Sequence, residues 1–242
     1  MISSCSTQEK ILYLQNNQIG VDYPTYDGGE IRLQNNDMIS IVVTSKTPEL
    51  AAIFNPTKPS SSGGSSSGSD LTYTVDPNGE INFPVLGHLK VAGLTRFEIS
   101  DMISKKIIES EMLRDPLVIV TFENLSFSTL GDIGAGSYTI SKDKTSILEA
   151  ISMAGDLAIT GQRNKVFLTR NIDGVLKTYQ LDLRTTDIYM SPAFYIQQND
   201  LIYVEPNKVK SNQSTINGNS LRSISFWMSI TSFLMTLTFI FL

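Results

Sequence analysis

The chain has 242 residues, of which 41% are hydrophobic and 18% charged, with a formal net charge of −5 at pH 7 and a pI near 4.9. That length can bury one large core or two modest ones, and the acidic balance, with no Lys/Arg-rich stretch, argues against a nucleic-acid partner. A single cysteine (Cys5) and a single histidine (His88) exclude an internal disulfide framework, a cysteine zinc site and any catalytic triad needing a second histidine, so no metal or cofactor is expected.

Cys5 follows Ile2-Ser3-Ser4 and precedes polar residues through Glu9 and Lys10. The segment resembles a bacterial lipobox, in which the cysteine takes a lipid and becomes the mature N-terminus, although the basic and apolar stretches expected upstream are absent. The alternative is a free thiol in a polar tail.

Ile31 to Val43, which holds the apolar stretch Met38 to Val43 after the turn-prone Asn35-Asn36-Asp37, reads as a strand. Residues 58–70 are almost all Ser and Gly and read as a loop. Leu71 to Val75 and Ile81 to Val85 flank Asp76-Pro77-Asn78-Gly79-Glu80, which predicts a hairpin. Thr95-Arg96-Phe97-Glu98 is a capping box, and Ile99, Met102, Ile103 and Ile107 repeat at helical spacing, which predicts a helix from Arg96 to Glu109. Asp115 to Phe122 returns as a strand.

A second unit begins near Leu125. Ser146-Ile147-Leu148-Glu149 opens a short helix that stops at Gly155. Lys165 to Arg170 and Val175 to Leu183 pair across Ile172-Asp173-Gly174, and Phe194 to Val204 reads as closing strands. The fold class is therefore α+β, as two small α+β domains.

Ser223 to Leu242 carries no charge over about the length that crosses a bilayer as a helix. Arg222, Ser225, Ser229, Ser232 and Thr236 recur at spacings of three and four and share one helical face; Trp227, Ile230, Leu234, Leu237 and Phe241 occupy the opposite one. Two readings stand side by side. The hydroxyls bond back to their own helix carbonyls in a packed anchor, or the stripe faces water, which requires several copies in a ring.

The order of motifs resembles a known family. Tyr73 to Gly87, Val91 to Glu98 and Asp115 to Val120 look like the polysaccharide export domain of outer-membrane export lipoproteins of the Wza type, and Ile31 to Val43 is similar to the segment that opens it, with Asn36 where the family usually has glycine. Ser146 to Gly155, Val166 to Arg170, Asp173-Gly174 and Tyr195 to Val204 resemble the soluble-ligand-binding β-grasp domain that follows. Gly131 to Tyr138 departs from the family's turn, being one residue shorter and without its proline.

The resemblance implies a division into an N-terminal lipoprotein segment (1–21), an export domain (22–124), a β-grasp domain (125–207), a linker (208–219) and a membrane-spanning amphipathic helix (220–242). It further implies lipidation at Cys5, a homo-oligomeric and plausibly octameric ring in the outer membrane with its soluble domains in the periplasm, and C-terminal helices forming a barrel through that membrane. Arg222, Ser225, Ser229, Ser232 and Thr236 would line the pore. Its partners would be the exported polysaccharide, outer-membrane lipids and an inner-membrane co-polymerase or tyrosine autokinase.

Other functions find less in the sequence. Gly131 to Gly136 has neither the glycine order of a dinucleotide loop nor a Gly-Lys-Ser/Thr ending, and reads as a tight turn. His88 reads as a surface or packing residue. Asp76, Glu80 and Asp101, or Asp156 and Asp182, could pair for glycoside hydrolysis only at a suitable separation, and carboxylates beside turns and helix starts are ordinarily caps. No enzymatic activity is expected. A lipid-anchored carbohydrate-binding or scaffold protein with a simple membrane anchor is the alternative to a channel.

Overall fold

The computed structural model describes residues 8–56, 72–172, 174–213 and 224–241. Cys5, the Ser/Gly run and Arg222 lie outside the described residues.

The first unit is built on strand β1 (Met38–Thr44), whose alternate residues Ile39, Ile41 and Val43 are buried as a half-buried strand requires. Strands β2 (Thr72–Thr74) and β5 (Leu117–Phe122) flank it antiparallel, with Ile39 opposite Tyr73 and Phe122. Helix α1 (Pro48–Ala51) is a single turn after β1. Helix α2 (Arg96–Glu109) lies across the core and buries Ile99, Ile103 and Ile107, one face at four-residue spacing. It starts where expected: Glu98 N–H donates to Thr95 Oγ1 at 3.2 Å and Thr95 N–H to Glu98 Oε2 at 2.8 Å.

The hairpin expected across residues 76–80 does not form. β2 pairs with β1, while β3 (Glu80–Phe83) pairs with β4 (Gly87–Lys90), a strand the sequence did not suggest. Asp76 does turn the chain, accepting from Glu80 N–H at 2.8 Å. The exposed edge of β1 nevertheless claims the strand before the turn, and Val75 N–H to Asp37 O at 2.9 Å extends that pairing. Asn36, at φ 70, takes the left-handed conformation that a glycine would adopt at no steric cost.

The second unit is a five-stranded sheet in the order β7-β6-β10-β8-β9. Its strands are β6 (Ser126–Gly131), β7 (Gly136–Thr139), β8 (Gly161–Ile172), β9 (Val175–Leu181) and β10 (Leu201–Pro206). β10 runs parallel to β6 and antiparallel to β8. Helix α3 (Ile147–Met153) has the expected capping box, and Gly155 at φ +85 ends it. β8 and β9 pair antiparallel as expected, with Ile172 opposite Val175; Asp173 of the predicted turn lies outside the described residues. Phe194 to Gln198 does not form the expected strand; only Tyr195 bridges, to Ser146. Between Gly131 and Gly136, where a tight turn was expected, the chain reverses to join β6 and β7 as a hairpin.

Each unit has its own apolar core. The chain changes core between Ile31, buried in the second, and Leu33, buried in the first. A strap from Tyr13 to Tyr26 crosses the second unit, Leu14 N–H donating to Leu183 O at 3.0 Å and Tyr26 N–H to Tyr189 O at 2.7 Å. The junction is polar: Gln198 Nε2 donates to Asp37 Oδ1 at 3.3 Å and to Asn124 O at 3.0 Å, and Met38 N–H to Asn124 Oδ1 at 2.8 Å.

After helix α4 (Lys208–Gln213) comes helix α5 (Ile224–Phe241). The expectation of a membrane-crossing helix is not carried by the described residues: among them no helix is long and apolar enough to cross a membrane. The 18 residues of α5 rise roughly 27 Å, short of a typical hydrocarbon core.

Candidate functional site

Of the residues expected to line a pore, Ser225, Ser229, Ser232 and Thr236 lie on α5, all exposed. Ser229 Oγ donates to Ser225 O at 2.9 Å and Thr236 Oγ1 to Ser232 O at 2.9 Å. Thr231 and Thr238, off the stripe, do the same, to Trp227 O at 2.9 Å and Met235 O at 2.8 Å. These bonds satisfy the donors of Ser229 and Thr236 within the helix and leave their oxygen lone pairs as outward acceptors. The stripe is thus a row of hydroxyls in a segment without charge.

The remaining sequence candidates are structural. His88, with 71% of its side chain exposed, lies 3.8 Å from Glu80 at the surface. Asp76 caps the turn before β3, Asp156 accepts from Leu157 N–H at 2.6 Å and from Tyr13 Oη, and Asp182 accepts from Arg184 at 2.8 and 2.9 Å. Asp101 lies on the exposed face of α2. Among the described residues no His/Cys/Asp/Glu cluster could hold a metal ion.

Two polar constellations were not legible in the sequence. In the second unit Arg170 clasps Asp200, Nε to Oδ1 at 2.9 Å and Nη2 to Oδ2 at 2.7 Å, both side chains buried. Arg170 also donates to Tyr195 O at 2.8 Å, and Gln197 N–H donates to Asp200 Oδ2 at 2.7 Å, so the pair ties β8 to the loop that enters β10. Burial pushes the Asp200 carboxyl above the ordinary carboxylate value, against the opposing pull of Arg170.

The other constellation lies between the two units. A cleft of about 380 Å³ is walled on one side by Thr95, Arg96 and Phe97 at the start of α2 and on the other by Asp143 and Lys144, with Glu30 and Ile31 at its base. Arg96 Nη2 meets Asp143 Oδ2 at 2.6 Å, and its guanidinium sits 4.6 Å from the centre of the Phe97 ring, whose residue is 62% exposed. Lys144 Nζ is 3.8 Å from Glu30 Oε1 and 5.8 Å from the Tyr195 ring centre. Arg96-Phe97 reads in the sequence only as the first turn of a helix; only the fold brings it to residues 143–144.

Residues 26–123 match a family model described as polysaccharide biosynthesis/export protein. Over that stretch the chain is similar to the polysaccharide export family. The matched stretch spans the first unit and includes Glu30, Arg96 and Phe97 of the cleft; Asp143 and Lys144 fall outside it. Over 150 residues, 57% of its length, the chain is 31% identical to the EPS I polysaccharide export outer membrane protein EpsA of Ralstonia nicotianae. To the protein of the same name from Ralstonia solanacearum it is 29% identical over 151 residues. It spans 38% of the length of each of these relatives.

Proposed function

We propose that this protein is a non-enzymatic subunit of a homo-oligomeric outer-membrane channel that exports capsular or extracellular polysaccharide. The observation that carries this reading is the export-family match over residues 26–123, which covers a complete folded unit with its own core. Relatives named as polysaccharide export outer membrane proteins support the same substrate and the same membrane. In this reading residues 22–124 are the export domain and 125–207, a sheet with one helix laid on it, the soluble-ligand-binding β-grasp domain. Cys5 carries the lipid, residues 208–219 are the linker, and 220–242 form the spanning helix. An inner-membrane co-polymerase or tyrosine autokinase delivers the polymer.

A lone helix cannot enclose water, so the pore needs several copies with Arg222, Ser225, Ser229, Ser232 and Thr236 turned inward. The bacterial outer membrane is thinner than the average bilayer, which suits a short helix. A row of uncharged hydroxyls offers a passing glycan many weak, exchangeable hydrogen bonds and no strong trap.

In assembled protein, Ser229→Cys and Ser232→Cys are expected to react with a water-soluble thiol reagent above the level of the unsubstituted chain, and Leu234→Cys to be protected. Equal protection at all three positions overturns the pore. The back-bonding of Thr231 and Thr238, off the stripe, favours the second reading, a scaffold or carbohydrate-binding protein whose helix only anchors. That reading predicts a monomer in detergent and glycan binding that survives deletion of residues 220–242.

A further inference from the structure

We infer that the cleft between the two units is a binding site for the sugar residues of an uncharged glycan, with Phe97 as the stacking platform. The inference rests on the export reading for its substrate class, but its geometry is independent of the terminal helix.

At about 380 Å³ the cleft falls at the lower end of the range for small-ligand sites, roughly 300–1,000 Å³, and it lies at a domain junction, where such sites concentrate. A second hollow of about 250 Å³ adjoins it, sharing Glu30 and Lys144 and extending to Arg32 and Gln197. Two adjoining hollows that share a wall at Glu30 and Lys144 give room for more than one sugar residue.

The lining matches the chemistry of a pyranose. One face of a sugar ring is a patch of C–H groups that packs on an aromatic face; its rim is a ring of hydroxyls that need both donors and acceptors. Phe97, 62% exposed on the first turn of α2, supplies the aromatic ring, with the Arg96 guanidinium 4.6 Å from its centre. Arg96 and Lys144 supply donors, Asp143 and Glu30 acceptors.

These charges occur as pairs, Arg96 with Asp143 at 2.6 Å and Lys144 with Glu30 at 3.8 Å, so the cleft is locally neutral and suits hydroxyls better than a carboxylate or phosphate. All four side chains are 38–56% exposed, where ion pairs add little to stability, so the fold itself gives little reason to gather them there. Arg96 Nε is buried without a hydrogen-bond partner in the wall of the cleft. Gly29 lets the backbone hug Tyr195 below the second hollow: its φ is +82, and a Cβ there would collide with the ring.

The test is calorimetric titration of the detergent-solubilised full chain with maltohexaose, chitohexaose and hexagalacturonate as neutral, acetamido and acidic probes. Saturable binding of at least one of the first two is expected, tighter than that of hexagalacturonate and weakened about tenfold or more by Phe97→Ala and by Asp143→Asn. Failure of both neutral probes to bind, tighter binding of the acidic probe, or affinity within about twofold of the parent in both variants overturns the inference. Should Phe97→Ala unfold early, Asp143→Asn decides alone. A mass measurement on the same preparation separates the two proposals. A ring that binds neither neutral probe sinks the cleft and leaves the channel; a monomer whose binding Phe97→Ala abolishes supports the cleft and counts against the channel.

Discussion

The two units solve the same problem, burying one face of a small sheet, with different materials. The first lays a 14-residue helix on its sheet and closes with aliphatic and aromatic side chains; among the described residues its one buried charge, Asp37, sits at the junction with the other unit. The second lays a seven-residue helix on its sheet and, among the described residues, buries four charged ones, Asp132, Arg163, Arg170 and Asp200. A short helix covers less of a sheet, and the strap and the Arg170–Asp200 pair fasten what remains. Apolar packing is non-directional, whereas a bidentate ion pair fixes one geometry, so the second unit trades tolerance for precision at the loop leading into β10.

The comparison can be broken most sharply at the pair. Arg170→Ala leaves a buried carboxylate without its counter-charge and is expected to destabilise the second unit by roughly 3–5 kcal/mol, whereas Arg170→Met with Asp200→Leu should cost less, about 1–3 kcal/mol for each of Tyr195 O and Gln197 N–H that stays unpaired. Hydrogen exchange checks this: the single variant should lose protection in β8 and β10 while β1 and β5 keep theirs. If the first unit loosens equally, the two cores are one cooperative body. Ile103→Ala is the mirror test, expected to cost roughly 2–5 kcal/mol and to expose β1 and β5 first.

The smallest effects are at the caps. Thr95→Ala and Ser146→Ala should each cost about 1 kcal/mol in their own unit, read from denaturant midpoints. The capping carboxylates add a pH dependence. Thr95 N–H, with Arg32, holds Glu98 below its ordinary 4.5, and Lys142, with Ser146 N–H, does the same for Glu149. A depressed acid contributes stability that is fully present above pH 4.5 and is lost as pH falls through its folded value. Melting temperature should therefore fall on the acid side of pH 4.5, and Glu98→Gln with Glu149→Gln should flatten that fall. An unchanged acid slope in the double variant overturns the assignment.

What could be read from the sequence follows the range of each interaction. A capping box is a bond between residues three apart, and both were legible with the bonds later seen at Thr95 and Ser146. The hydroxyl spacing of the terminal helix was legible for the same reason. Strand pairing is not local: Thr72 to Thr74 could not be assigned to β1 because the loop before it hides the partner from any short window. β4, β6 and β7 were missed because Gly, Ser and Lys dilute their alternation. The cleft was invisible because Glu30, Phe97 and Lys144 meet only through the register of two separate units.

The strap from Tyr13 to Tyr26 sets an order of assembly. On the ribosome it emerges ahead of the first unit, but its partners Leu183 and Tyr189 emerge more than 160 residues later, after the first unit has been synthesised whole. A segment made before either unit is thus among the last to dock, and until it does the second unit lacks part of its cover. Any fastening of the chain upstream of the strap would act on a protein whose first unit can be finished while the second is still open.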